Sequence, residues 1–262
     1  MEIIISSLHH TTNIYRWMKH KIFMMFFNLL ANKYVINEEL DVKRLGSVYG
    51  GWHVCCSELN KNTRILSLGA GEDISFDVEV ANNYGCLVDI FDPTPQAIQH
   101  FKNLKKQYGK GSSRDYTNSG CQDIRSYNLL QVYEKQIKFS AKAVWIRRGK
   151  VSFFKPLKKN SVSHTITAYN SEGNQPRESI KVSCVDILDI EIEKYEVLKL
   201  DIEGAELPVL KRLIENTKIE QLPKQILVEF DELQIANLVN FKNVFLFSQY
   251  LQNSGYQLIK KE

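Results

Sequence analysis

The sequence predicts an α/β fold with a doubly wound, mostly parallel sheet and an N-terminal helical extension. Strand-like and helical segments alternate between residues 64 and 230. The strand-like segments are almost continuously apolar, as parallel strands covered on both faces are. A glycine-containing turn follows the first of them, where such sheets bind ligands. We place the extension at residues 1–60 and the main domain at residues 61–262.

Composition predicts one globular core in a reducing compartment. The 262 residues are 44% hydrophobic and 24% charged. The formal net charge is +4 and the basic residues are scattered, so we expect no nucleic-acid partner. The five cysteines show no Cys-x-x-Cys spacing, which favours a cytoplasmic protein over a disulfide scaffold.

Ile14 to Ala31 is predicted to form a helix with two apolar faces. Its unbroken apolar stretch, Ile22 to Leu30, is too short to span a bilayer. Basic residues precede that stretch, but no small-x-small cleavage site follows it, which argues against a signal peptide. The helix either packs on the main domain or in a homodimer interface, or it makes peripheral contact with a membrane surface.

The rest of the extension is predicted to be mostly helical. Glycines interrupt it at Gly46 and at Gly50-Gly51, and a short helix is expected from His53 to Leu59.

The first half of the main domain reads as two strand-helix units. Strands are expected at Arg64–Leu68 and Cys86–Phe91, and helices at Phe76–Asn82 and Pro95–Lys106, the second helix being capped by Asp92 or Thr94. Residues 109–123 are polar and rich in glycine and serine, which predicts a loop.

The second half continues the alternation after an expected hairpin. Ile137–Ile146 and Lys150–Phe154 resemble two strands that turn at Arg148-Gly149. Residues 156–179 are loop-like, and a loop of that length is a candidate lid over the site. Further strands are expected at Lys181–Cys184, Glu196–Leu200, Gln225–Phe230 and Tyr256–Ile259, and helices at Leu207–Asn216 and Phe245–Gln252.

The turn Gly69-Ala70-Gly71 and Asp92 predict nucleoside binding. Glycines between a strand and a helix let backbone N–H groups approach a ligand, and an acid about twenty residues on, at the next strand's end, can accept ribose hydroxyls. Position 74 is isoleucine where a dinucleotide fold wants a third glycine. A cofactor without a pyrophosphate fits better, and S-adenosylmethionine is the obvious one.

Four motifs resemble the FkbM family of methyltransferases over residues 46–259. They are Gly50-Gly51-Trp52, the segment Gly69–Asp77, the segment Phe91–Pro95 and the segment Lys199–Glu206. The resemblance implies a class I, Rossmann-like domain with a seven-stranded sheet that uses S-adenosylmethionine to methylate a hydroxyl group.

The resemblance also implies roles for individual residues. Gly69 to Asp73 would wrap the methionine part of the cofactor, Asp92 would bind its ribose, and Asp201 would face the methyl donor from the fourth strand's end. Asp73 replaces a glycine of the wider family, so it either contacts the cofactor amino group or caps the following helix. The predicted cofactor-binding set is Gly69, Ala70, Gly71, Glu72, Asp73, Asp92 and Thr94.

Methyl transfer to a hydroxyl needs a base near the methyl group. Asp201 is the first candidate, because it ends a buried strand where desolvation favours the protonated carboxyl; alternatively it only binds the backbone or the cofactor. His164, in the predicted lid, is the second candidate. Asp201, Glu229 and Asp231 could also hold Mg²⁺, although acids at strand ends often bind cofactor instead. The related subset has histidine where this chain has Asp231.

The expected acceptor is a hydroxyl of a small molecule, in particular a glycan or a natural-product sugar. Two alternatives stay open at this point. One is methylation of RNA or protein, and the other is a non-catalytic cofactor-binding partner subunit.

Overall fold

The computed structural model describes residues 40–154, 178–234 and 238–259, together with Lys21. Two compact units divide the chain: Leu40–Glu229 forms one, and Met1–Glu39 with Phe230–Glu262 forms the other. The helix predicted at residues 14–31, Lys21 apart, lies outside the described residues. So does most of the predicted lid, including His164. The domain boundary near residue 60 stays a prediction.

The larger unit begins with a β-hairpin, and strands alternate with three α-helices after it. Its strands are β1 (Val42–Leu45), β2 (Trp52–Cys55), β3 (Arg64–Leu68), β4 (Leu87–Phe91), β5 (Ile137–Ser140), β6 (Ala143–Trp145), β7 (Gly149–Phe154), β8 (Ser179–Asp186), β9 (Val197–Leu200) and β10 (Gln225–Val228). Its α-helices are α1 (Ser75–Tyr84), α2 (Pro95–Leu104) and α3 (Glu206–Asn216), and α4 (Leu238–Asn253) belongs to the other unit. Short 3-10 helices lie at Lys105–Gln107, Ile124–Ser126, Ile187–Asp189, Ile192–Lys194, Ile219–Gln221 and Asp231–Gln234.

Strands β1 and β2 pair antiparallel, so the expectation of mostly helical structure is wrong for residues 40–60, and so is the short helix expected from His53 to Leu59. The segment is a strand because it forms hydrogen bonds with a residue far away along the chain. The side-chain amide of Gln225 accepts from Cys55 N at 2.9 Å and donates to Cys55 O at 3.1 Å. These contacts, together with β1, satisfy the backbone of β2 in an extended conformation.

The central sheet is parallel, as predicted, with the strand order β10-β9-β3-β4-β5. It has five strands within the described part of the chain, not the expected seven. Leu68 pairs with Phe91 on one side and with Leu200 on the other, so three strands end at the same level. Because the chain leaves β3 for β4 on one side and returns to β9 on the other, the order reverses between β3 and β9. Such a switch point opens a crevice at the carboxyl edge of the sheet.

The predicted strand Ile137–Ile146 is two strands, and the predicted hairpin after it does not form. The predicted strand is interrupted at Ala141-Lys142. Strand β5 joins the central sheet, whereas β6 belongs to a separate three-stranded sheet of order β6-β8-β7. Strands β6 and β7 both pair with β8 and not with each other. This small sheet has its own apolar cluster, formed by Ala143, Val151, Phe153, Val182 and Cys184.

The remaining elements mostly follow the sequence pattern. Helix α2 begins after Thr94, whose hydroxyl accepts from Ala97 N at 3.4 Å, so Thr94 is the cap. The strand expected at Tyr256–Ile259 is wrong, because that segment shows one isolated bridge position. All five cysteines are free. Among the described helices, none is both long and apolar enough to cross a membrane.

Candidate functional site

Three loops leave neighbouring strands at the carboxyl edge of the central sheet. One follows β3 at Gly69, one follows β4 at Asp92 and one follows β9 at Asp201. Gly69 N donates to Phe91 O at 2.9 Å, and Asp201 N donates to Leu68 O at 2.9 Å. The structure therefore brings together the glycine turn, Asp92 at the end of β4 and the proposed base Asp201.

The two glycines of the turn face different surroundings. Gly69 has a φ of 84°, and a Cβ there would overlap the carbonyl oxygen of Asp201. Gly71 has a φ of 54°, and a Cβ there would have no atom within 4 Å. Glycine is thus required at position 69 by a close approach of two backbones. At Gly71 the turn borders open space, where a ligand can reach the backbone.

Asp92 fastens this turn to the end of β4. Its Oδ2 accepts from Ala70 N and Gly71 N, both at 2.9 Å, and its Oδ1 accepts from Thr94 N at 2.8 Å and Thr94 Oγ1 at 2.6 Å. The side chain is 5% exposed. A carboxylate has about four acceptor positions, and this chain fills them. A ribose must therefore replace some of these bonds, and the ribose role stays a prediction.

Asp73 lies two residues before helix α1 and joins three segments. Its Oδ1 accepts from Ser75 N at 3.0 Å, while its Oδ2 accepts from Ser47 Oγ at 2.6 Å and Gln122 Nε2 at 2.9 Å. The N-cap position of α1 is Ile74 and carries no side-chain cap, so Asp73 does not occupy the capping position, and its predicted contact with the cofactor amino group stays a prediction. Gly50 packs so closely that a Cβ would lie 2.5 Å from the Asp73 carboxyl carbon.

The loop between β1 and β2 borders the site, which the sequence did not predict. Ser47 N donates to Ser75 Oγ at 2.7 Å, and Gly46 N donates to Glu79 Oε2 at 2.8 Å, so the loop is fixed to the start of α1. Gly50-Gly51 was noted in the sequence as a break and as part of a family motif. The close approach of Gly50 to Asp73 shows why glycine is needed there.

A second unpredicted segment, residues 117–122, lies beside the turn. Gln122 N donates to Glu72 O at 3.0 Å, and Glu72 and Cys121 form an isolated parallel bridge. The backbone of Glu72 is therefore held by this segment. Since residues 109–123 were predicted only as a loop, their packing against the glycine turn is a finding of the structure.

The motif after β9 forms a tight loop that presents Asp201. Glu206, the first residue of α3, is fully buried and accepts from Ile202 N at 2.7 Å and Gly204 N at 2.9 Å. Glu203 has a φ of 55°, a conformation that non-glycine residues seldom adopt. Asp201 itself is half-buried at the carboxyl end of β9.

A buried lysine supports the turn from below. Lys199 is 3% exposed, and its Nζ donates to Gly69 O at 2.8 Å and lies 5.3 Å from the centre of the Trp52 ring. Burial raises the pKa of the nearby Asp77 carboxyl, and the charge of Lys199 opposes that rise. Lys199, which the sequence analysis treated only as part of a motif, thus holds the carbonyl of Gly69.

Several acidic residues at this edge of the sheet act on the hydroxyl of Tyr49. Partial burial raises the pKa of the Tyr49 hydroxyl, and the carboxylates of four residues raise it further: Glu203, Asp201, Glu229 and Asp73. Such a field favours a cationic ligand over a pyrophosphate. The expected metal set of Asp201, Glu229 and Asp231 is not found, since the described residues include no group of three or more His, Cys, Asp or Glu side chains placed to hold a metal ion.

A family model described as "Methyltransferase FkbM domain" matches residues 55–258, which is more than half of the chain. No curated protein and no solved structure gives a significant match. The family match covers the glycine turn, Asp92 and the loop after β9, so it agrees with the resemblance that these motifs indicated. The chain belongs to the FkbM methyltransferase family.

Proposed function

We propose that this methyltransferase takes its methyl group from S-adenosylmethionine, bound in the crevice between β3 and β9. The glycine turn, which lies against Asp201 at Gly69 and borders open space at Gly71, is the observation that carries the proposal, and the acidic residues that act on Tyr49 suit a cofactor with a sulfonium cation. The open space at Gly71 gives a ligand access to the backbone of the turn. A dinucleotide would instead bring a pyrophosphate next to these carboxylates.

The residues of the turn fit the methionine end of this cofactor. Gly69, Ala70 and Gly71 form the turn after β3, and Glu72 and Asp73 follow them along the chain. Asp92 and Thr94 lie at the end of β4, where the ribose of a nucleoside would come. Asp92 then has two roles: it holds the turn, and it exchanges part of its hydrogen bonds for ribose hydroxyls.

Calorimetric titration with S-adenosylmethionine tests the cofactor and the role of Asp92 together. Asp92→Ala removes charge-assisted hydrogen bonds and is expected to weaken binding by about 2 to 4 kcal/mol. The same titration with 5′-methylthioadenosine, which has the ribose but no amino-acid part, separates the two roles. If Asp92 binds the ribose, both ligands lose affinity.

Asp186→Ala is the matched control, because Asp186 also ends a strand and accepts charge-assisted hydrogen bonds, from Arg212, but belongs to the small sheet. We expect it to bind both ligands about as well as the unaltered protein does. Unchanged affinity of Asp92→Ala for 5′-methylthioadenosine would contradict the ribose role. Failure of the unaltered protein to bind S-adenosylmethionine would contradict the proposed cofactor.

The acceptor is proposed to be a hydroxyl group, with Asp201 as its base. The cofactor supplies an electrophilic methyl carbon, so the protein has to orient the acceptor and remove its proton. Asp201 is suited to this task because its half-buried carboxylate lies at the end of β9 beside Gly69. The tight loop held by Glu206 fixes its backbone.

Asp201→Asn keeps the size of the side chain and removes its basicity. A general base contributes about 10² to 10⁴ in rate, so kcat is expected to fall by that factor while cofactor affinity stays nearly constant. Steady-state kinetics with a cofactor titration measures both. Normal turnover with roughly tenfold weaker cofactor binding would make Asp201 a binding residue and His164 the leading base. Activity that persists after chelator treatment of the same samples would agree with the lack of a metal-binding group among the described residues.

A hydroxyl of a glycan or natural-product sugar is the proposed acceptor class. The scattered positive charge offers no continuous basic surface for RNA, which supports an uncharged acceptor. Mass spectrometry of glycans made with and without the protein should show a difference of about 14 Da, the mass that a methyl group adds when it replaces a hydroxyl proton. Identical glycan masses in both samples would direct the search to other hydroxyl compounds.

A further inference from the structure

Tyr49 is an exposed aromatic residue with a firmly held backbone. Its side chain is 58% exposed. Tyr49 N donates to Ser47 Oγ at 3.1 Å, and Ser47 Oγ donates to Asp73 Oδ2 at 2.6 Å. Two hydrogen bonds therefore connect Tyr49 to Asp73, which lies just before α1. An aromatic side chain exposed on such a rigid loop is placed to contact a ligand.

The ring of Tyr49 lies beside the glycine turn. A Cβ on Gly120 would come within 2.6 Å of Tyr49 Cε1, so the ring rests on the backbone of Gly120. Gln122, two residues on, donates to Glu72 O at 3.0 Å and to Asp73 Oδ2 at 2.9 Å. The ring is thus located from two independent segments, and both are bonded to the turn that follows β3.

The same ring lies in the field of the carboxylates of the crevice. Glu203 and Asp201 act on it from the loop after β9, Glu229 from the end of β10, and Asp73 from the turn. A ring face carries a partial negative charge and attracts weakly hydrated cations such as quaternary ammonium groups. A sulfonium is a cation of this kind. The ring and the acidic residues that act on it would both attract such a cation.

We infer that Tyr49 recognises the sulfonium of the methyl donor through its ring and so distinguishes the donor from its demethylated product. The inference rests on the proposed cofactor. S-adenosylhomocysteine has lost the methyl group and the positive charge, so the ring attracts it less. Tyr49 thereby favours donor binding before the reaction and product release after it.

Titrations with S-adenosylmethionine and S-adenosylhomocysteine test this inference on three proteins. In Tyr49→Leu an apolar side chain without a ring replaces the phenol, and donor affinity is expected to fall about two- to fivefold while product affinity stays within a factor of about two. Tyr49→Phe keeps the ring and should keep the preference for the donor. Tyr133→Leu is the matched control, because Tyr133 is also 58% exposed and lies outside the site.

A second variant moves the ring without removing it. Gly120→Ala places a methyl group against Tyr49 Cε1, so the ring must shift. We expect it to reduce the preference for the donor in the unaltered protein and to have little further effect in a Tyr49→Leu background. A ratio of donor to product affinity is insensitive to a general loss of folded protein, and thermal unfolding of each variant checks that the fold persists.

The outcomes separate this inference from the proposed function. Equal losses for donor and product in Tyr49→Leu, or no loss for either, would overturn the role of the ring while leaving the cofactor assignment intact. If the unaltered protein binds neither compound, the proposed function itself fails. A loss confined to the donor, retained by Tyr49→Phe, supports the inference.

Discussion

At the scale of single residues, Gly69 lies where the backbones after β3 and β9 approach each other closely. Its missing side chain lets the backbone after β3 meet the carbonyl of Asp201, and its own carbonyl accepts from Lys199 Nζ at 2.8 Å. The turn is therefore held on one side by another strand's backbone and below by a buried cation. These contacts set the position of the residues that border the crevice.

Gly69→Ala and Gly71→Ala are expected to differ, although both glycines have a positive φ. Alanine in that conformation costs about 1 to 2 kcal/mol by itself. At position 69 the new methyl group also overlaps Asp201 O, so we expect a much larger loss of stability, whereas position 71 has room for it. Denaturant unfolding and cofactor titration measure the two effects.

Gly71→Ala should stay folded and bind the cofactor more weakly, because the methyl group enters the space proposed for the ligand. Equal stability of the two variants would show that strain in φ alone determines the glycine requirement. Full cofactor affinity in Gly71→Ala would place the ligand elsewhere along the edge.

Residues next to strand ends could be predicted, and residues in distant loops could not. Gly69, Asp92 and Asp201 follow apolar runs directly, so the parallel sheet brings them to one edge. Ser47 and Gln122 reach Asp73 from 26 and 49 residues away. No local pattern encodes those separations, because loop positions depend on packing and on hydrogen bonds formed after the sheet exists.

At the scale of secondary-structure elements, a buried tyrosine connects α1 to α2. Tyr127 is fully buried, and its hydroxyl accepts from Ile74 N at 3.2 Å. The hydroxyl also lies 2.8 Å from His100 Nε2, to which it donates when the neutral imidazole carries its proton on Nδ1. The start of α1 and the middle of α2 are thereby fixed by one polar contact within the core.

Burial lowers the pKa of His100 to about 4, which predicts a loss of stability in acid. In the unfolded chain a histidine binds its proton near pH 6.5, so the unfolded state takes up more protons between pH 6.5 and 4. Stability is therefore complete above pH 6.5 and falls as the pH drops toward 4, by about 3 kcal/mol from this group. Urea unfolding at a series of pH values measures the fall.

His100→Gln is the matching variant, because glutamine can still accept from Tyr127 and does not titrate. We expect a smaller loss of stability between pH 6.5 and pH 4 than in the unaltered protein. Acids with lowered pKa, such as Asp186 beside Arg212, contribute equally to both proteins. Parallel pH profiles for the two proteins would contradict the role of His100.

Pairing explains which elements the sequence pattern predicted correctly. Each parallel strand near the turn is a short apolar run bounded by polar residues, and its identity follows from that pattern alone. Strands β6 and β7 were paired wrongly because Cys184 lies opposite both Ala143 and Gly149. Strand β8, which is distant in the sequence, pairs with both strands in place of the local hairpin.

At the scale of the whole molecule, the overall charge and the charge of the site have opposite signs. The chain has a formal net charge of +4, whereas the crevice is lined by carboxylates. Long-range attraction therefore does not guide a cationic cofactor to the protein. The local field acts only within about a Debye length of the crevice, roughly 10 Å at 0.1 M salt.

Salt is therefore expected to affect the ligand classes differently. Affinity for the cationic S-adenosylmethionine should fall modestly, by about two- to threefold, when NaCl rises from about 50 to about 200 mM, because partly buried charges are only partly screened. The neutral product should change less. A nucleic-acid acceptor that contacts 6 to 10 phosphates would lose about 10³ to 10⁵ in affinity over the same range. Calorimetry with both cofactor forms, and a mobility-shift titration with an unspecific RNA, measure these slopes. Steep salt dependence with the RNA would contradict the uncharged acceptor, because scattered basic residues cannot produce counterion release of that size.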